Sequence, residues 1–171
     1  RGVFLAATLL VLSACQSETL PPLDLPAGCN PLLAGKDCML PFPSDFFLVD
    51  DATLPSGKRI EVTGAAVLTS IDDESANIYE VEAVDGFSLT PPIVAILGEP
   101  LSQLGLNTIF DEPTKTTYTT HPTLLVNAET LELIPHFVDL DPRATSADRQ
   151  AMVIRPLVGL DEKTRYVVIV H

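Results

Sequence analysis

The sequence predicts an all-β domain built from short strands and polar turns. Its apolar and β-branched residues occur in short runs, each bounded by Gly, Pro, Asn, Asp or Ser. Fifteen prolines interrupt the chain, and proline does not fit a helix interior or a central strand. Few segments have helical periodicity. These three observations favour a β-sandwich over an α/β sheet, in which longer helical segments would separate the strands.

The candidate strands extend over most of the chain. They are residues 46–49, 59–62, 78–82, 92–97, 116–120, 123–126, 131–134, 136–140, 151–155 and 165–170. Turns are predicted at residues 55–58 and 85–86, where Pro, Gly and Asp cluster. Two short helical segments are also predicted, at residues 99–105 and 145–150, the second with Thr145 or Ser146 as its N-cap.

An uncharged apolar run precedes the strands. It spans residues 3–12, follows Arg1 and leads into Ser13-Ala14-Cys15. A positive charge, an apolar middle and a small-residue pair are the parts of a secretory signal. The sequence Leu-Ser-Ala-Cys resembles the lipobox of bacterial lipoproteins, in which the cysteine is acylated. We therefore predict a signal peptide at residues 1–14, incomplete at its N-terminus, and a lipid on Cys15.

The alternative is an apolar helix that happens to end in cysteine. A membrane span needs roughly 20 apolar residues, which this run does not reach. A buried amphipathic helix would carry polar residues at a 3.6-residue period, and residues 3–12 do not. The lipoprotein signal is therefore the preferred interpretation.

Residues 15–28 are predicted to form a lipidated tether. Residues 16–28 include three prolines, which favour an extended and semi-stiff linker between the lipid and the domain at 29–171. Lipoproteins held at the inner membrane commonly have aspartate directly after the lipidated cysteine, whereas this chain has Gln16. The resemblance to lipoproteins thus implies an outer-membrane location in the bacterial cell envelope.

Cys29 and Cys38 are the cysteines that remain. An even pair in an exported chain favours a disulfide, which would stabilise the fold by roughly 2–3 kcal/mol through loop-closure entropy. The alternative is a metal site, but no further Cys or His lies at ligand spacing. We expect a disulfide and neither a metal nor a cofactor.

The formal net charge of −13 limits the possible partners. A nucleic-acid-binding domain needs a basic surface to neutralise phosphates, so that class is excluded, as is electrostatic binding to anionic lipid. The acidic groups Asp72-Asp73-Glu74 and Asp139-Leu140-Asp141 lack the calcium-loop pattern. Solvated turns are the preferred interpretation of both, with weak calcium binding as the alternative.

No catalytic pattern is found in the chain. The G-x-S-x-G elbow of α/β-hydrolases is absent. His121, His136 and His171 lie on or beside predicted strands. His136 has Asp139 and Asp141 as possible partners, but no candidate nucleophile accompanies them. We expect the histidines to be structural and predict no active site within these residues.

Tyr166 gives the predicted sandwich a more specific character. It begins a strand directly after the polar loop of residues 161–164. Immunoglobulin-like domains place a tyrosine corner at such a position, with its hydroxyl bonded back to the loop backbone. The prediction is therefore an immunoglobulin-like β-sandwich. The alternative is a strand tyrosine whose hydroxyl is solvated.

Three motifs occur along the chain in an order that is typical of a known family. The first motif is Pro41-Phe42-Pro43-Ser44-Asp45-Phe46-Phe47, the second is Asp85-Gly86-Phe87-Ser88-Leu89-Thr90-Pro91-Pro92-Ile93, and the third is Val153-Ile154-Arg155-Pro156-Leu157 followed by Lys163-Thr164-Arg165-Tyr166-Val167-Val168. Together they resemble the N-terminal domain of bacterial virulence-factor lipases, a family that includes exported lysophospholipase lipoproteins. The resemblance covers residues 41–170.

The resemblance implies that catalysis is carried out by a different domain. In that family a catalytic α/β-hydrolase domain with a Ser-Asp-His triad follows this domain. Because the chain stops at His171 beside a predicted strand, we expect it to be the N-terminal part of a longer protein. The expected function is that of a non-catalytic accessory domain of a membrane-anchored lipase or esterase. The alternative is an immunoglobulin-like binding or structural module of a non-enzymatic surface lipoprotein.

Overall fold

The computed structural model describes residues 22–35, 37–72, 74, 76–80 and 83–171. The strands are β1 (Leu48–Asp50), β2 (Lys58–Ile60), β3 (Ile93–Ile96), β4 (Thr123–Asn127), β5 (His136–Leu140), β6 (Ala151–Pro156) and β7 (Tyr166–Val170). All strand pairs are antiparallel. The described residues contain no α-helix. The all-β prediction is confirmed.

Short 3-10 helices lie before and between the strands. They are Leu32–Gly35, Asp45–Phe47, Gly64–Ala66, Ile78–Glu80, Pro113–Thr117 and Ala147–Arg149. The last lies within the predicted helical segment 145–150, and Ser146 precedes it without a side-chain capping bond. The helix predicted at residues 99–105 is wrong, because these residues form turns in which Ser102 Oγ accepts from the Leu104 N–H at 3.1 Å.

Two predicted strands are wrong because their segments form 3-10 turns. The predicted strand 78–82 contains the helix Ile78–Glu80, in which Asn77 Oδ1 accepts from the Tyr79 N–H. The predicted strand 116–120 overlaps Pro113–Thr117, where Thr116 Oγ1 donates to the Pro113 carbonyl at 2.8 Å. Proline at the start and hydroxyl bonds to preceding carbonyls favour a turn despite the β-branched residues.

The main strands form two sheets. One contains β3, β6 and β5 in that order, with Ile154 of β6 opposite both Ile93 and Val138. The other pairs β4 with β7, with Leu125 opposite Val168. The strands β1 and β2 form a separate hairpin.

The chain passes from one main sheet to the other at Pro135. Ile134 N–H donates to the Leu125 carbonyl at 2.8 Å, and Leu133 bridges Val126. The predicted strand 131–134 is therefore reduced to this single bridge on β4. Pro135 has no N–H to continue the ladder, and β5, which begins at the next residue, pairs with β6 of the other sheet.

Two apolar clusters form the core. Val138, Met152, Ile154 and Ala95 make one, and Val168 of β7 packs against it, so the two main sheets share this cluster. The other comprises Phe47, Ile60, Val62 and Ala66, and Phe42 and Phe87 pack against it. Met152 and Ile154 alternate along β6 in the period-2 pattern of β-structure, whereas Phe47 and Ala66 of the second cluster come from 3-10 helices.

Two chain segments cross closely at Gly28 and Gly64. The Ala65 N–H donates to the Ala27 carbonyl at 2.9 Å. Gly28 has φ +80°, and a Cβ there would overlap the Thr63 carbonyl oxygen. Glycine is thus required by both conformation and space. The segment that precedes Cys29 is fastened to the domain at this crossing.

Candidate functional site

A buried polar group lies where β4, β5 and the 113–117 turn meet. It comprises His121, Thr123, His136 and Thr116, here called the histidine–threonine cluster. Thr116, Thr123 and His136 are fully buried, and His121 is 8% exposed. Buried polar groups are costly unless they are hydrogen-bonded, so the bonds within this cluster determine its role.

His136 links the two main sheets. Its Nδ1 lies 2.9 Å from the Ile134 carbonyl, and because a carbonyl only accepts, Nδ1 bears the proton. In the neutral imidazole, Nε2 then accepts from the Thr123 hydroxyl at 2.9 Å. Since Thr123 belongs to β4 and His136 to β5, this hydrogen bond joins one sheet to the other. The His136 N–H donates to Thr116 Oγ1 at 3.0 Å.

His121 completes the cluster from the other side of Thr123. Its Nδ1 lies 2.8 Å from the Thr123 carbonyl oxygen, and its ring meets that of His136 edge to face with centroids 5.9 Å apart. His121 Nε2 is buried and has no hydrogen-bond partner among the described residues. The His121 carbonyl accepts from His171 Nε2 at 2.6 Å. All three histidines therefore converge at one end of β4.

Burial lowers the pKa of His136, the neighbouring His121 lowers this pKa further, and the hydrogen bonds to Ile134 and Thr123 oppose the shift. The neutral ring is the form whose Nε2 accepts a hydrogen bond from the Thr123 hydroxyl.

The structure does not bring His136 to either suggested carboxylate. Asp139 pairs with Arg155 at 3.2 Å, and Asp141 pairs with Arg143 at 3.4 Å.

The Thr123–His136 hydrogen bond has the form of a nucleophile–base contact, but its surroundings do not support catalysis. The His136 Nδ1 proton goes to a backbone carbonyl rather than to a carboxylate. Thr123 is fully buried, so no substrate reaches its hydroxyl. The cluster is a hydrogen-bond network inside the core. This agrees with a structural role for the histidines.

The predicted disulfide between Cys29 and Cys38 is present. Cys29 is buried, and the neighbouring Asn30 is fully buried. The Asn30 N–H donates to the Cys38 carbonyl at 2.9 Å, and Asn30 Nδ2 donates to the Pro41 carbonyl at 3.2 Å. The crosslinked loop thus holds the start of the first motif. Cys15, the signal peptide and residues 15–21 of the tether lie outside the described residues.

Tyr166 begins β7, half-buried, beside the loop that precedes it. Its hydroxyl oxygen accepts from the Asp161 N–H at 2.9 Å, and the hydroxyl lies 3.4 Å from Asp161 Oδ2. The hydroxyl therefore bonds backward along the chain to loop backbone. The bond ties Asp161, in the middle of the 157–165 connection, to the first residue of the strand.

The described part of the chain contains no side-chain group that could hold a metal ion, and it has a small surface recess. No group of three His, Cys, Asp or Glu side chains there is arranged to hold a metal ion. Within the same residues, no helix has the length and apolar character to cross a membrane. A shallow, mainly apolar recess of about 220 Å³ is lined by Met39, Val62, Val67, Leu68, Ala76, Asn77 and Tyr79. Its volume is below that of ordinary ligand pockets, which hold ~300–1,000 Å³.

The three motifs lie together. The Phe42 ring of the first motif meets the Phe87 ring of the second edge to face, with centroids 5.3 Å apart. Ile93 at the end of the second motif is paired with Ile154 of the third. Arg165 of the third motif forms an ion pair with Asp45 of the first at 2.8 Å. Each motif therefore contacts both of the others.

Sequence reasoning did not find the threonines of the cluster. A fully buried hydroxyl at Thr123 or Thr116 leaves no distinct sequence signal, because threonine is common in strands and turns. The alternating polar residues His121 and Thr123 were the one sequence pattern that could have indicated an inward polar face.

In comparisons with known proteins, the chain matches no protein-family model, no curated protein and no solved structure.

Proposed function

We propose that this chain is the non-catalytic N-terminal accessory domain of a membrane-anchored bacterial lipase or esterase. In this proposal a downstream serine-hydrolase domain cleaves lipid esters, and the present domain holds and spaces it at the membrane. The observation that carries the proposal is the mutual contact of the three motifs.

Those contacts matter because the motifs are far apart in the sequence. Phe42 and Phe87 pack together, Ile93 and Ile154 share a strand pair, and Asp45 binds Arg165. If the three motifs resembled the family only by coincidence, nothing would require all three to contact one another in the fold. Their common location supports reading them as the signature of one domain, and therefore supports the resemblance from which the lipase assignment comes.

The accessory role follows from the interior polar groups. The contact closest to catalytic chemistry, Thr123 with His136, is buried and has a backbone carbonyl in place of the acid. The hydroxyl serves to join β4 to β5. Ester hydrolysis is therefore assigned to a domain outside these residues.

Membrane attachment is assigned to the lipid proposed for Cys15. A net charge of −13 opposes electrostatic binding to anionic lipid, so the acyl chains supply the affinity, at about 0.8 kcal/mol per buried methylene. The tether then ends where Gly28 crosses Gly64. With the lipid at one end and this crossing at the other, the domain is held off an outer membrane by a short spacer.

We assign the fold to the immunoglobulin-like sandwiches on three features. The main sheets share the cluster around Val138 and Val168. The chain changes sheets at Pro135. The Tyr166 hydroxyl bonds back to the Asp161 N–H in the manner of a tyrosine corner.

The second candidate is a binding or structural module of a non-enzymatic surface lipoprotein. The observation that bears on it is three apolar side chains exposed in loops, namely Ile71 at 99%, Phe110 at 95% and Leu104 at 91% exposure. Large apolar side chains in such positions are typical of contact surfaces only where they form a patch. Fold alone does not choose between this role and the first.

A fluorophosphonate probe for serine hydrolases separates the candidates. The chain should take up no probe and hydrolyse no nitrophenyl ester, whereas the complete gene product in its native membranes should be labelled. Pretreatment with paraoxon is the control, since it blocks specific labelling. A membrane-bound product that never reacts with the probe would favour the binding module. Ester turnover by the present chain would overturn both candidates.

A further inference from the structure

The outer edge of β7 differs from the other edges of the two main sheets. At β3, Phe42 exchanges hydrogen bonds with Val94, at 3.0 and 2.8 Å. At β5, the Val138 N–H donates to the Asn107 carbonyl at 2.7 Å. At β4, the Ile134 N–H donates to the Leu125 carbonyl. Among the strands of the two main sheets, β7 alone forms backbone hydrogen bonds with one strand, β4, and with no further described segment.

The register identifies the free backbone groups of β7. The Ala128 N–H donates to the Arg165 carbonyl at 2.9 Å, and the His171 N–H donates to the Pro122 carbonyl at 3.0 Å. In an antiparallel pair, alternate residues face the partner, so the odd-numbered residues of this stretch bond to β4. The N–H and C=O groups of Tyr166, Val168 and Val170 therefore point to the open edge.

The side chains of β7 do not protect this edge. Val167 and Ile169 are exposed by 40% and 42%, whereas Val168 packs inward on the shared cluster. The strand contains no charged residue and no proline. Natural proteins usually guard an edge with lysine, proline, a bulge or a covering segment. An unguarded β-branched edge is a template for another strand.

We propose that β7 pairs antiparallel with β7 of a second copy of this chain, centred on Val168. In this register Val168 lies opposite Val168 of the second copy, and Tyr166 lies opposite Val170. The outward N–H and C=O groups of all three residues then find partners across the two-fold axis. The contact is isologous and closes as a dimer.

A second copy suits this edge because the strand is complementary to itself. The proposed register places Val167 opposite Ile169 of the second copy, so apolar side chains meet and no charges face each other within the strand. The net charge of −13 on each copy opposes association at long range. The dimer should therefore be weak at low ionic strength and tighter when salt screens the repulsion.

The test is sedimentation equilibrium of the whole chain carrying Cys15→Ser, in a density-matched nonionic detergent. The parent should show a monomer–dimer equilibrium that tightens with salt. V167K/I169K places lysines opposite each other across the axis and should weaken the dimer about tenfold. V167K/I169E places lysine opposite glutamate in the same register and should restore association. Only a pairing centred on Val168 produces this reversal.

I71K/L104K is the matched control, because it adds the same charge at residues exposed by more than 90% in loops outside β7. Amide exchange adds a readout on the unaltered strand. The Tyr166, Val168 and Val170 amides should gain protection with concentration, whereas those of Val167 and Ile169 should be protected throughout.

Three results would overturn the proposal. The first is a monomer at every concentration and salt level. The second is association that V167K/I169K leaves unchanged, which would place the contact elsewhere, for instance in the apolar N-terminal run. The third is edge-amide protection that does not depend on concentration, which would mean that another segment of the same chain covers β7. A misfolded lysine variant is recognised by its circular dichroism, and the exchange measurement then decides.

Discussion

At the scale of single residues, the histidine–threonine cluster fixes how β4 meets β5. The Thr123 hydroxyl satisfies His136 Nε2, and Ile134 and Thr116 satisfy the ring Nδ1 and the backbone N–H of His136. The Ile134 carbonyl requires a proton on Nδ1 of His136, and in the neutral ring Nε2 then accepts from the Thr123 hydroxyl. The Thr123 hydroxyl therefore links β4 of one sheet directly to β5 of the other.

Replacing Thr123 by valine should destabilise the domain by about 1–3 kcal/mol, because the change keeps the volume but leaves His136 Nε2 buried without a partner. The measurement is urea unfolding, with the midpoint lowered and the slope unchanged. Thr120→Val, at an exposed position nearby, is the matched control and should have little effect. An equal loss of unfolding free energy in the two variants would show that the Thr123 hydroxyl has no special role in stability.

Stability should fall as pH drops below the ordinary histidine pKa of 6.5, because burial, assisted by His121, lowers the pKa of His136. The unfolded chain then binds a proton more readily than the folded one, so the contribution is complete above pH 6.5 and is lost as pH falls through the lowered pKa. Unfolding midpoints across this range test it.

His136→Gln should flatten the pH dependence while lowering stability at neutral pH. The carboxyl groups of Asp111 and Asp141 do not interfere. Their pKa values are lowered from an ordinary 3.8, through backbone N–H bonds from Thr108 and Arg143 respectively, so they act only in more acidic solution. An unchanged slope in His136→Gln would assign the effect to another group.

At the scale of elements, most apolar and β-branched runs were predictable as strands, and the 3-10 helices that replace two of the predicted strands were not. Residues 92–97, 123–126, 136–140 and 151–155 were predicted as strands and contain or overlap β3, β4, β5 and β6. Residues 116–120 have equal β-propensity, yet the Thr116 hydroxyl donates to the Pro113 carbonyl inside the 3-10 helix Pro113–Thr117. Local hydroxyl bonds outweighed propensity there.

The crossing of Gly28 and Gly64 should be the segment contact least tolerant of a side chain. Gly28→Ala has to move the Thr63 carbonyl in addition to adopting a positive φ. Gly57→Ala is the matched control, since Gly57 has φ +72° but no neighbouring atom within 4 Å. We expect roughly 1–2 kcal/mol of destabilisation for Gly57→Ala, from the backbone alone, and clearly more for Gly28→Ala. Similar unfolding midpoints would mean that the crossing adjusts freely.

The Cys29–Cys38 disulfide should stabilise the domain by about 2–3 kcal/mol through the loop that it closes. The measurement is denaturant unfolding with and without dithiothreitol. The reductant should lower the midpoint of the parent and leave C29A/C38A unaffected. If the reductant has no effect on the parent, the contacts of Asn30 hold the loop without the crosslink.

At the scale of the whole molecule, the proposed lipid on Cys15 attaches the domain to the membrane. Expressed with a complete signal peptide in a bacterial host with radiolabelled palmitate, the protein should become labelled and sediment with outer membranes. Cys15→Ser should abolish both the label and the membrane location, because the acidic domain has no other means of attachment in this proposal. C29A/C38A is the control and should remain labelled. Retained label in Cys15→Ser would refute lipidation at that residue.

The sequence by itself determined the all-β class, the disulfide pairing and most of the longer strands. These follow from properties that neighbouring residues share, namely alternation, proline content and cysteine parity in a chain predicted to be exported. Only the tertiary structure decided what depends on distant residues meeting. It placed His136 beside Thr123 instead of Asp139 or Asp141, moved the chain between sheets at Pro135, and left β7 with an open edge. The physical reason is that burial and register are set by the whole packed chain, and no local pattern encodes them.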